Sequence, residues 1–69
     1  MLEIFKTNVI DKEQAFSIIC LLNEHLPHCS VNFDLHDCDK ILRVTGENIP
    51  VDTIIELVTG NGISCIQLN

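Results

Sequence analysis

Tryptophan and tyrosine are absent from this 69-residue chain, and phenylalanine occurs only three times. Stacking on nucleobases or flat cofactors therefore has little material to draw on. Positive charge is scarce as well: four Lys and Arg stand against ten Asp and Glu, a formal net charge of −6. An acidic surface repels phosphate, so neither nucleic acid nor an anionic membrane is an expected partner. A long hydrophobic run is missing too, and with it any candidate membrane span. The opening MLEIFK has no basic segment followed by an apolar one, so no secretory leader is read and a cytoplasmic location is expected. The four cysteines (Cys20, Cys29, Cys38, Cys65) are irregularly spaced. Without a secretory signal they are expected as reduced thiols rather than disulfides.

What the chain does have is aliphatic material. Ile, Leu and Val supply 23 of the 69 residues, and 46% of the chain is hydrophobic. That content is ordinary for a globular domain, so disorder is not expected. Residues 1–69 form one small domain, near the lower limit of length at which a single core sustains folding. No linker, internal repeat or low-complexity tract interrupts it.

Leu2 to Val9 nearly alternates apolar and polar residues and reads as a strand. Asp11 then opens a helix with a capping box: its carboxylate can accept from the Gln14 backbone N–H while the Gln14 side chain reaches back. Ala15, Ile18, Ile19, Leu22 and Leu26 follow helical spacing up to Pro27. Val31, Phe33 and Leu35 alternate with Ser30, Asn32 and Asp34, giving a strand with one wet face. His36 to Lys40 is a polar turn, and Ile41 to Thr45 returns as the second strand of a hairpin. A second helix starts near Pro50, placed as a first helical residue, and runs through Ile54, Ile55, Leu57 and Val58. Thr59 to Gly62 stops it with residues that tolerate left-handed backbone, and Ile63 to Leu68 closes the chain as a last strand.

The order β-α-β-β-α-β is the ferredoxin-like pattern of the α+β class. It predicts a four-stranded antiparallel sheet with both helices on one face. Residues 8–12, 36–40 and 59–62 should then lie at one end of the domain. Residues 26–30 and 46–50 should lie at the other, with both termini.

With that order established, the chain resembles the heavy-metal-associated, copper chaperone-like domain family over essentially its whole length. The resemblance is carried by FKTNV leading into the first helix, VNFDLHDCDKILRVTGEN as the central hairpin, and VDTIIELVTGNGI as the second helix with its glycine stop. The family carries a Cys-x-x-Cys pair on the first turn, where two thiolates hold a soft monovalent copper ion. In this sequence Asp11 and Gln14 occupy those positions. An oxygen pair is a hard, weak ligand set, so Cu(I) chemistry at that turn is not expected to survive.

Three groups of residues are candidate metal ligands. Asp11 and Gln14 occupy the family's loop, although the capping box accounts for both. His36 and Cys38, flanked by Asp37 and Asp39, have ligand chemistry suited to Zn(II) or Cu(II), although they also suit a solvated hairpin tip. His25, His28 and Cys29 cluster after the first helix but supply three ligands where a closed zinc site uses four. Cys20 and Cys65 read as small buried hydrophobes. A transition-metal ion is the one cofactor these residues suggest. No Cys–His pair, serine nucleophile or glycine-rich phosphate loop is recognisable, so the chain is expected not to be an enzyme. Two functions follow: a metal-binding or trafficking module with an altered site, or a protein-interaction module that has lost metal. In the second, an edge strand such as residues 31–35 recruits a partner or a second copy.

Overall fold

The computed structural model describes residues 1–68. Its elements are β1 (Leu2–Thr7), α1 (Lys12–His25), β2 (Ser30–Asp34), β3 (Ile41–Thr45), α2 (Val51–Thr59) and β4 (Cys65–Leu68). The fold is α+β: four strands form one sheet in the order β2-β3-β1-β4, with every neighbouring pair antiparallel. No helix is long and apolar enough to cross a membrane.

Alternation along the strands sorts side chains onto two faces. Phe5, Thr7, Leu42, Val44 and Cys65 are buried on one face, where Val31 and Phe33 are half-buried. Helix α1 adds Ala15, Ile18 and Leu22 to the same core, and α2 adds Ile54 and Val58. Phe5, Leu22, Leu42, Val44, Ile54 and Val58 are almost fully shielded from water. Burying a side chain of this kind contributes roughly 1.5–3 kcal/mol each, so these residues supply a large share of the fold's apolar stabilisation.

The helix starts differ. At α1, Asp11 accepts from the Gln14 N–H at 2.8 Å, and the Gln14 side-chain oxygen accepts from the Ile10 N–H at 2.8 Å. The first bond satisfies a donor of the opening turn that lacks an intrahelical partner, and the second satisfies the Ile10 N–H, one residue ahead of the cap. At α2, Pro50 is the cap itself and not the first helical residue; it offers no side-chain bond.

Element ends also shift. β1 stops at Thr7, because Val9 leaves the strand to enter the core while its N–H reaches the Thr7 hydroxyl at 3.4 Å. β4 begins at Cys65, with Ile63 buried ahead of it. β2 takes Ser30 and ends at Asp34, leaving Leu35 in the turn. The stop after α2 uses one left-handed residue: Gly60 is right-handed, while Gly62 has φ +81°.

Long-range bonds bring the loops together by end. Thr7 donates its hydroxyl to the Lys40 carbonyl at 2.6 Å, and the Ser64 N–H donates to the Asn8 side chain at 2.9 Å. At the opposite end the Gly46 N–H donates to the Met1 carbonyl at 3.1 Å.

Candidate functional site

Each ligand group suggested by the sequence has a definite position. Asp11 and Gln14 are engaged with each other's backbone surroundings as the α1 cap, so their oxygens already have partners. His25 lies in the last turn of α1, where its ring Nδ1 donates to the Leu21 carbonyl at 3.0 Å. A protonated ring nitrogen there also sits favourably against the negative end of the helix. His28 is exposed, whereas Cys29 is buried against Gly46. A Cβ added to Gly46 would come within 3.2 Å of the Cys29 sulfur, and Gly46 has φ +152°. Cys29 is thus a packing residue, and His25, His28 and Cys29 are not gathered into one ligand set.

The hairpin tip does gather ligands, though not the pair expected. Asp37, Cys38 and Asp39 present one ligand atom each within 4.8 Å of one another. His36 stays outside that group; its N–H donates to the Asp34 carboxylate at 3.2 Å. The tip is shaped by local bonds: Asp37 accepts from the Asp39 N–H at 2.8 Å, and Lys40 takes a left-handed φ of 46°. Asp39 also pairs with Lys6 at 3.5 Å.

The four thiols are unpaired and divide evenly: Cys20 and Cys38 are exposed, Cys29 and Cys65 buried. Cys20 therefore departs from the sequence expectation of a buried residue, because it falls just off the Ala15–Ile18–Leu22 stripe. Burial pushes the Cys65 thiol up to about 11, which keeps it protonated and unreactive at neutral pH.

A different feature emerges where α1 meets the outer edge of the sheet. Lys12, Ala15, Phe16 and Ile19 of α1 face Asn32 and Phe33 of β2, with Leu35 beyond it, across an open groove of about 290 Å³. Phe16 is exposed over two-thirds of its surface beside this groove. β2 is an edge strand, so its outer backbone groups have no strand partner among the described residues. The sequence signal for the groove was slight. Phe16 is an aromatic residue outside the apolar helical set, and its meaning depends on which strand packs beside it. Compared with family models, curated proteins and solved structures, the chain matches none.

Proposed function

We propose that this chain is a non-enzymatic protein-interaction module of ferredoxin-like topology, which takes an extended segment of a partner along β2. The topology is supported by the strand order: β3 lies between β1 and β2, and β1 lies between β3 and β4, as two interleaved split βαβ units require. The observation that carries the function is the apolar groove beside an unpaired edge. Strand addition supplies main-chain hydrogen bonds, and alternate side chains of the added segment drop into the pocket alongside. The groove is near the lower end of ligand-pocket volumes, enough for one or two apolar side chains. The net charge of −6 steers basic flanking residues toward the domain without selecting the anchor.

Selection of short peptides from a displayed library is the test. Selected peptides should carry a large apolar anchor and shift the amide resonances of residues 30–35 and 15–19. Phe16→Glu should abolish their binding while leaving the fold intact, since Phe16 is exposed. Binding that is unchanged by Phe16→Glu, or that maps elsewhere, refutes the reading.

A second reading is favoured by the convergence of Asp37, Cys38 and Asp39. One thiolate and two carboxylates suit a divalent ion such as Zn(II), with water completing the shell. On this reading the relation to metal-trafficking domains is functional at the hairpin tip and not at Asp11 and Gln14. Zinc titration followed by calorimetry, with Cys38→Ser as the control, separates it from the first reading.

A further inference from the structure

The four Lys and Arg side chains of this acidic chain fall into two pairs. Lys6 is bridged to Asp39 at 3.5 Å and Arg43 to Asp34 at 3.9 Å. Lys12 and Lys40 have no carboxylate partner among the described residues, although the chain has ten acidic side chains. Both belong to the groove beside β2. Lys12 lines it, and the Lys40 ammonium donates at 3.1 Å to the carbonyl of Leu35, which lines it too. Lys12 is exposed and is the one charged side chain of that lining, where Asn32 is the only other polar residue. The carboxylates nearby have other tasks. Asp11 caps α1, Asp34 and Asp39 are in ion pairs, and Asp37 accepts from the Asp39 N–H. Glu13 is next to Lys12 in sequence, but adjacent helical residues do not share a face, and Glu13 does not line the groove.

Lys12 also has a definite place along the groove. The short link from Leu26 to Cys29 returns the chain from α1 into β2, so helix and strand run in opposite directions. The start of α1 therefore lies at the Leu35 end, and Phe16 and Ile19 follow it toward Phe33. Residues four apart on a helix, such as Lys12 and Phe16, have Cβ atoms about 5–6 Å apart. Alternate residues of an extended strand share one face at a spacing of about 6.7 Å. The two spacings match. A segment laid along β2 can put an apolar side chain beside Phe16 and its next same-face side chain beside the Lys12 ammonium.

We infer that the segment taken along β2 carries an acidic residue two positions before its apolar anchor, and that Lys12 reads it. This rests on the strand-addition function proposed above and adds the partner's chemistry to it. The order follows from direction. Every pair in the sheet is antiparallel, and an antiparallel strand beside β2 starts at the Leu35 end, so it meets Lys12 before Phe16. A net charge of −6 does not oppose one acid placed there. Exposed charges farther apart than about 8 Å are largely screened at physiological ionic strength, whereas a contact with Lys12 is not. A run of acids would meet Glu13 and the hairpin carboxylates, so a single acid in an otherwise neutral or basic segment is the match.

A displayed peptide library with one Phe fixed and the flanking positions randomised tests this on the full chain. Among peptides that shift the amide resonances of residues 30–35, Asp or Glu should be enriched two positions before Phe. Selection on Lys12→Glu should turn that position to Lys or Arg. The variant should fold, because a carboxylate in the first turn of α1 favours the helix. Lys6→Glu makes the same change in net charge away from the groove and should leave the preference as it was. A synthetic peptide of the enriched sequence should bind Lys12→Glu about fivefold more weakly, near the upper end for an exposed ion pair. Replacing the peptide's acid by Lys should restore that loss. Peptides that need Phe16 but show no acid preference at that position, or keep it on Lys12→Glu, overturn this inference and leave strand addition standing. An equal loss on Lys6→Glu overturns it too, since net charge is then the cause. If no peptide binds at the groove, both readings fall.

Discussion

Phe5 and Lys6 are neighbours in β1, yet one is wholly buried and the other belongs to the solvent-facing side of the same sheet. The helix-covered face spends its apolar residues on folding: Phe5, Leu42 and Val44 meet side chains from α1 and α2. The open face has no such cover, and its apolar residues are concentrated toward β4 while its polar ones are concentrated toward β2. Folding needs only one dry face, so the other face of an antiparallel sheet can stay in contact with water. The contrast also separates the two edges. β2 combines an unpaired backbone with a groove on the helix side, whereas β4 combines it with an apolar surface on the open side.

The sharpest way to break this contrast is truncation of matched side chains on the two faces. Phe5→Ala should cost about 3–5 kcal/mol of stability, because it leaves a cavity among residues that cannot collapse freely. Ile66→Ala should change stability by no more than about 0.5 kcal/mol in dilute solution. Urea titrations of both variants measure the difference. Equal costs would mean that the open face is as firmly covered as the other.

Thiol reactivity probes the same division. The rise of the Cys65 thiol from 9.0 to about 11 lowers its thiolate fraction at neutral pH about a hundredfold, two tenfold steps. Cys20 and Cys38 should therefore react quickly with iodoacetamide, and Cys65 only after opening of the fold. The linkage has a definite sign. Because the folded thiol holds its proton more tightly than the unfolded one, its contribution is complete below pH 9 and is lost as pH rises toward about 11. Stability measured at pH 8 should exceed that at pH 11, and Cys65→Ala should flatten this part of the profile.

The covered face depends on α1 being formed, and α1 begins at Asp11. Asp11→Ala should cost about 0.5–2 kcal/mol, and Asp11→Ser should recover much of it. Chelator should change neither value if the residue is a cap alone; equilibrium unfolding with and without chelator measures this. The smallest effect belongs to the open face. Arg43→Ala breaks an exposed pair with Asp34 and should cost about 0–1 kcal/mol, less at high salt. Urea titration at two salt concentrations checks it.

Local features were legible in the sequence because neighbouring residues enforce them. The Asp11–Gln14 cap, the Ala15–Ile18–Leu22 stripe and the alternation of β2 and β3 all follow from short-range geometry. The boundaries that moved are those where a side chain's destination outweighed its local pattern. Val9 and Ile63 go to the core from outside their strands, and Cys20 misses the core by its position around the helix. Of the sites, the hairpin tip was visible as a run of ligands, but which of them converge was not. Asp39 joins Cys38 where His36 was expected, because backbone bonds within the turn set each side chain's direction.

By itself, then, the sequence determined the order of the elements, the start of α1 and most of the residues that make the core, since these depend on periods of two and 3.6 residues. The edge at residues 31–35 was already expected from the order of the elements; tertiary structure alone decided what lies beside it, the groove against α1. Ile4 meets Leu68 and Lys6 meets Ile66 only because β4 returns beside β1 from the far end of the chain. Phe16 meets Phe33 across a groove only because α1 packs against β2. Pairings between distant segments depend on the free energy of closing whole loops and packing whole faces, and no local pattern carries that information.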